Sequence, residues 1–311
     1  MVHWSKARTC AAHDARLHSS NFARWTAGAA ALNRLIITAD DFGLSEPVNA
    51  AIEAAHRRGV LSAASLMVGG PAAADAIARA RLLPTLRVGL HVVLVDGKPI
   101  LDPADIPALV DGNGWLRNDL AAFGAQIAFR PSLRRQIERE MVAQFQAYRS
   151  TGLPLDHVNT HRHFHLHPVI AATIVRIGKS FGMRALRVPY EPWKVVADIE
   201  PQAQRRAGRI VAPWAAWLRH HVRRAGLITA DAVFGLAWSG AMTKERFAAL
   251  LGRLPQGLVE IYFHPGTTNS FPDAAPGYRY AEEFAALCDP ECAAAARRSG
   301  YLLGGYMDAA V

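Results

Sequence analysis

Along this chain two hydrophobic periods take turns. Leu35 to Ala39, inside "RLIITADDFG" (residues 34–43), form a short continuous apolar run, as a strand buried on both faces requires. The following "SEPVNAAIEAAHRRG" has Pro47 near its start, an apolar stripe through Val48, Ile52 and Ala55, and Gly59 as a stop, which predicts a helix. "VLSAASLMV" predicts a second strand, "AAADAIARARLLP" a second helix and "LRVGLHVVL" a third strand. Over residues 132–152, Leu133, Ile137, Met141 and Phe145 recur at four-residue steps, the mark of an amphipathic helix. "DHVNTH" then reads as a strand, "HPVIAATIVRIGKSFG" as a helix, "RALRVP" as a strand and "GLVEIYFHPG" as one more. Strands alternating with helices imply βαβ units and a mainly parallel sheet.

Length and composition narrow this further. A chain of 311 residues could hold two average domains, yet α/β barrels of this size are commonly single. Residues 1–33 have neither periodicity nor an apolar segment of signal-peptide length, so they read as a flexible extension, or an early start codon. One domain over 34–311 is the expectation. With 51% hydrophobic residues the chain can bury a sizeable core, which argues against global disorder. The net charge of +9 suits an anionic partner such as nucleic acid or a membrane surface, or reflects only a basic proteome. Cys10, Cys288 and Cys292 are too scattered for a disulfide framework or a zinc finger, so a reducing cytoplasm fits. No apolar run has the ~20 residues of a spanning helix.

The polar residues now fall into a pattern. Asp40 and Asp41 end the first strand, His91 lies late in the third, His161 ends "DHVNT" and His264 ends "VEIYF". In parallel α/β folds that edge of the sheet carries the active site. Successive strand residues point to opposite faces, so Asp40 and Asp41 approach one centre only where the chain turns; "DDFG" as plain turn chemistry is the alternative. "HRHFHLH" places histidines at 161, 163, 165 and 167, every second position. Two imidazole nitrogens and one carboxylate oxygen suit Zn²⁺ with an open fourth position, and also Fe²⁺, Mn²⁺ or Co²⁺. One histidine of the run would then bind metal, another line the pocket, and the rest orient neighbours or face solvent.

Five stretches in order, "LIITADDFGLS", "VGLHVVL", "THRHFHLHP", "ALRVPYEPW" and "EIYFHPG", make the chain resemble the YdjC-like carbohydrate deacetylases, which include the chitooligosaccharide deacetylases. The resemblance runs from Arg34 to about Asp308. "VLSAASLMVGGPAAADAIARAR" and the Trp/Arg-rich segment most resemble the hopanoid-biosynthesis-associated branch. This likeness implies a distorted (β/α) TIM-like barrel of the glycoside hydrolase/deacetylase type and one divalent metal ion, zinc first, with Mg, Mn, Fe or Co as alternatives. It implies Asp41, His91 and His161 as metal ligands, Asp40 as general base and His264 as general acid. Arg187 falls near the pocket, and His163 and His165 are substrate-lining or supporting residues. The implied reaction is removal of acetyl from an N-acetylated amino sugar, with an N-acetylglucosaminyl hopanoid preferred over a chitooligosaccharide.

The segment at about 190–240 bears on partners. Between Glu200 and Asp231 there is no acidic residue, and "RIVAPWAAWLRHHVRR" interleaves Ile210, Val211, Trp214, Trp217 and Leu218 with arginines. A basic amphipathic helix with tryptophans reads as a lid or peripheral membrane contact over about 203–224, on the inner face of the membrane, or as a surface helix packed on the barrel. Nucleic acid is excluded for want of a binding motif. A homodimer is compatible with the sequence. Rival readings are an amidohydrolase or phosphoesterase on a similar barrel, a two-histidine, one-carboxylate oxygenase, and a glycolipid carrier with a structural metal. His56, His220 and His221 read as surface or packing residues, and Trp115 and Trp193 as core rather than sugar-pocket aromatics.

Overall fold

A computed structural model describes residues 33–202 and 207–310; the stretch read as an N-terminal extension therefore lies outside the described residues, save Asn33. In chain order its elements are β1 (Arg34–Phe42), α1 (Glu46–Arg58), β2 (Ala63–Leu66), α2 (Ala73–Arg81), β3 (Arg87–Val92), α3 (Leu120–Phe129), α4 (Pro131–Ser150), β4 (Val158–Thr160), α5 (Pro168–Ser180), α6 (Trp193–Ile199), α7 (Ala207–Arg224), β5 (Ala232–Phe234), α8 (Lys244–Leu251), β6 (Leu258–Phe263), α9 (Tyr280–Cys288), α10 (Pro290–Arg298) and β7 (Leu302–Leu303).

Every named strand pairing is parallel, in the order β4-β3-β2-β1-β6-β5, with β7 against the start of β1. The sheet curls into a half-barrel with helices outside, the distorted α/β barrel that the alternation and the resemblance foretell. β1 lies at its middle, and Leu35, Ile36, Ile37 and Ala39 are completely buried, as their continuous apolar run requires. α1 starts where its sequence says: Ser45 caps it through Val48 N at 3.4 Å, and Pro47 sits in the first turn.

Two elements differ from the pattern. "RALRVP" forms no regular strand; Leu186 and Ala185 make isolated parallel bridges to Val158 and Ile228. The segment therefore fills the gap between β4 and β5 with single contacts, and Pro189 withholds a donor just beyond them. β5 was not foreshadowed, because three residues are too few to show a period. It lies inside the Trp/Arg-rich segment, so that segment supplies part of the sheet.

α7 turns its apolar stripe inward. Ala215, Leu218 and Val222 are buried, Trp214 donates to the Leu166 carbonyl at 2.6 Å, and the Arg219 guanidinium lies 4.0 Å from the Tyr190 ring centre. Trp217 stacks on Trp214 with ring centres 4.4 Å apart and is 44% exposed. No helix among the described residues is long and apolar enough to cross a membrane.

Candidate active site and metal centre

The carboxylate pair sits in a bulge. Ala39 pairs with Ala64 and Phe42 with Leu66, so Asp40 and Asp41 together face the single residue Ser65. Asp41 takes φ 62°, a left-handed conformation that costs a non-glycine residue about 1–3 kcal/mol. The bulge breaks the up-and-down alternation of β1, and both aspartates line one cavity of about 440 Å³. His91 from β3, His161 after β4 and His264 after β6 join them on the same wall. All leave the C-terminal ends of parallel strands, where sequence placed them.

Asp41, His91 and His161 converge. Asp41 Oδ1 lies 3.3 Å from His91 Nε2 and 3.2 Å from His161 Nδ1, and those nitrogens are 3.4 Å apart. Three ligand atoms so spaced are the edges of a tetrahedron around an ion about 2.0–2.1 Å from each, the bond length of zinc to nitrogen and oxygen ligands. The donor set and spacing therefore fit a divalent ion with a fourth position open to the cavity. Burial alone would raise the Asp41 carboxyl, but the charge of His161 and hydrogen bonds from His161 and His91 hold it well below its ordinary value. It is anionic, as a ligand must be.

Asp40 belongs to a different set of contacts. Its Oδ2 accepts from Arg187 Nη1 at 2.5 Å and its Oδ1 from Asn159 Nδ2 at 3.1 Å. Burial opposes ionisation here too, and the charges of Arg187 and His91 outweigh it, holding the carboxyl below its ordinary value. Arg187 is fully buried behind Asp40 and does not line the cavity; its other nitrogens meet Glu260 at 3.0 and 2.7 Å. Glu260 in turn accepts from Thr38 and Tyr306, at 2.7 and 2.5 Å.

His264 stands one residue past Phe263, which pairs with Ala39, so it leaves the sheet beside Asp40. Glu283 of α9 accepts from the backbone N–H groups of His264 and Met242 and so fixes the turn. Burial raises the Glu283 carboxyl to about 7. Burial lowers the His264 imidazole, against the opposing charges of Asp41 and Asp40. Its Nδ1 is buried without a protein partner among the described residues.

The histidine run does not continue the strand. Residues His161–Leu166 form a 3₁₀ turn in which Arg162 and His163 take φ 55° and 50°, and each ring leaves in its own direction. His161 turns to Asp41, and His163 lines the cavity with Nε2 3.0 Å from the Tyr262 hydroxyl. His165 is fully buried behind the site against the Thr160 hydroxyl at 2.7 Å and does not line the cavity. His167 reaches the Gly124 carbonyl at 3.1 Å.

Burial and the charge of Arg187 lower His165 to about 3, against an ordinary 6.5. A histidine lowered on folding stabilises fully above 6.5, and that stability is lost as pH falls toward 3. At pH 5 the loss is about 2 kcal/mol. Urea unfolding of metal-free protein should accordingly fall more steeply from pH 7 to pH 5 in the parent than in His165→Leu. Parallel slopes would remove His165 as the cause.

Sequence did not single out Asn159, Glu260, Tyr262 or Glu283. A buried polar residue inside an apolar strand is the signal that could have found Asn159 and Glu260. Trp115, read as core, is half-buried in the cavity wall with Lys98 Nζ 5.2 Å from its ring centre; Trp193 is 44% exposed and does not line the cavity.

The chain is similar to known proteins in sequence and in fold. The YdjC-like protein family model matches residues 34–298. A carbohydrate deacetylase of Geobacillus stearothermophilus is 32% identical over 279 residues, covering 88% of this chain and 96% of its own. One from Brevibacillus brevis is 38% identical over 161 residues, 51% of this chain and 60% of its own length. A solved structure from Enterococcus faecalis V583, whose description names cellobiose-phosphate cleavage, superposes with a TM-score of 0.69 at 24% identity over 89% of this chain and 98% of that one, a likeness of fold.

Proposed function

This chain belongs to the YdjC-like protein family, and from that premise we propose that it is a metal-dependent N-deacetylase of N-acetylated amino sugars. The observation that carries the reading is the convergence of Asp41, His91 and His161 beside a second carboxylate, Asp40, in one cavity. Relatives named carbohydrate deacetylases support the bond and the substrate class.

A divalent ion held by Asp41, His91 and His161, with zinc the first choice, supplies Lewis acidity that lowers the pKa of water from 15.7 toward about 7 and polarises an acyl oxygen. Asp40, ionised and held by Arg187 and Asn159, accepts the proton of the attacking water. The water oxygen bonds to the carbonyl carbon, the C–N bond breaks, and acetate and a free amine leave. His264, which lines the cavity, hands a proton to the departing nitrogen. Asp40 ends the step protonated and His264 one proton short, and the site resets when Asp40 releases its proton and His264 takes one up from solvent. Trp115, Tyr278 and Tyr280 supply aromatic walls for a sugar.

The finer substrate is an N-acetylglucosaminyl hopanoid, giving the free glucosaminyl lipid; its support is the branch likeness in residues 61–82 and the basic Trp/Arg segment. Chitooligosaccharide is the second candidate. Mass spectrometry of both compounds after incubation, with and without chelator, tests the reading. Chelator-sensitive replacement of one acetyl by hydrogen in the hopanoid alone is the expected result. Loss from the chitooligosaccharide alone would keep the reaction and end the lipid assignment. Turnover of neither, by protein shown to bind metal, would end the deacetylase reading.

A further inference from the structure

We infer that Asn159 is a positioning residue that locks the proton acceptor and the metal centre together: Asp40 sets the direction of the Asn159 amide, and the amide sets which His91 nitrogen faces the metal. The Asn159 side chain is fully buried in β4 and touches both halves of the site. One end of the amide meets Asp40 Oδ1 at 3.1 Å and Ser65 Oγ at 2.9 Å; the other meets His91 Nδ1 at 2.6 Å.

The proton directions follow from the chemistry of each group. An ionised carboxylate only accepts, so the amide end beside Asp40 is the NH₂. Its oxygen then faces His91, whose Nδ1 must carry the hydrogen that oxygen accepts. A neutral imidazole with a hydrogen on Nδ1 has a bare lone pair on Nε2, and Nε2 is the atom facing Asp41 and His161.

A second line of bonds holds the same direction from behind. Ser65 Oγ accepts from Asn159, so its own hydrogen goes to His157 Nε2 at 3.0 Å. His157 Nδ1 donates to Asp156 Oδ2 at 2.9 Å, and Asp156 also accepts from the Tyr306 and Met307 backbone, each at 3.0 Å. Reversing the amide would set its oxygen against the Asp40 carboxylate and make the Ser65 hydroxyl choose between that oxygen and His157 Nε2. A carboxylate at 159 could serve His91 but would oppose Asp40; an apolar residue could serve neither. The residue type thus follows from having to accept on one side and donate on the other.

The inference rests on the deacetylase reading only in naming Asp40 as proton acceptor; the His91 half stands on geometry alone. Three readouts test it. In Zn²⁺-loaded parent protein, ¹⁵N NMR of labelled histidine should show His91 with its hydrogen on Nδ1 and none on Nε2. Asn159→Leu should weaken Zn²⁺ binding about 10–100-fold by calorimetry. Asn159→Asp should bind Zn²⁺ at least as tightly as the parent, because a carboxylate still accepts from His91 Nδ1–H. On whichever amide the parent hydrolyses, Asn159→Asp should lower kcat by about 100-fold with KM unchanged, because two carboxylates now crowd the proton acceptor. A His91 with no hydrogen on Nδ1 in the Zn²⁺-loaded parent, or parent-like Zn²⁺ affinity in Asn159→Leu, would overturn the inference. So would losses of metal and turnover that merely track falling stability in both variants. If the parent binds Zn²⁺ yet hydrolyses no amide offered, the deacetylase reading fails, and the tautomer and the two affinities still decide the role of Asn159.

Discussion

Replacing Asp40 with asparagine should cut kcat by about 10²–10⁴-fold while the protein still takes up one divalent ion. The amide matches the carboxylate in size but cannot receive a proton from water. Its oxygen can still accept from Arg187, which keeps its two contacts to Glu260, so the buried cation is not stranded. The Asp41, His91 and His161 cluster is left whole, and Ser65 continues to hold Asn159. Metal content by elemental analysis and turnover on the same preparation separate the two effects. Near-parental kcat in a metal-loaded Asp40→Asn protein would remove Asp40 from the proton transfer, and loss of the ion would show that Asp40 supports the metal centre, directly or through Asn159.

Removing a ligand should do more. His161→Ala takes away one of three donors, and the two left, Asp41 and His91, cannot alone hold a four-coordinate ion against water. The loss in affinity should exceed the 10–100-fold typical of an outer hydrogen-bond partner, about that range being the lower bound. Turnover at equimolar Zn²⁺ should fall to the uncatalysed rate. His167→Ala is the matched control, because that ring sits at the start of α5 against Gly124 and touches no ligand. Parent-like Zn²⁺ affinity in His161→Ala, or equal loss in both variants, would show that the histidine run holds metal in some other way or not at all.

The frame of this site was legible because parallel sheets read plainly. A continuous apolar run ending in a carboxylate or an imidazole locates a strand and its C-terminal edge, as Asp40, Asp41 and His264 do, and His91 lies one residue short of the end of β3. The every-second-residue spacing of the histidines misleads, because it suggests a strand with one face of imidazoles. Left-handed Arg162 and His163 break that period and send four rings to four places. Such backbone conformations leave no mark on hydrophobic periodicity. Asn159 and Glu260 were hidden for another reason: each is one polar residue in a short strand, and its meaning lies in partners 46 to 222 positions away that only folding brings near, as the Glu260–Tyr306 and Glu260–Thr38 pairs illustrate. "RALRVP" has strand composition yet only isolated bridges, since pairing depends on neighbours that sequence cannot place. The basic Trp/Arg segment resolves partly, with α7 packed through its apolar stripe and Trp217 left half in solvent.

The central claim is that one ion held by Asp41, His91 and His161 enables amide hydrolysis in this cavity. Its most direct test is acetate release from an N-acetylglucosaminyl substrate by metal-stripped protein as Zn²⁺ is added back. The account predicts no release without metal, and a rise that saturates at one equivalent per chain and is absent in His161→Ala. Full activity in the stripped protein, or restoration by Zn²⁺ in His161→Ala at the same equivalence point, would contradict it.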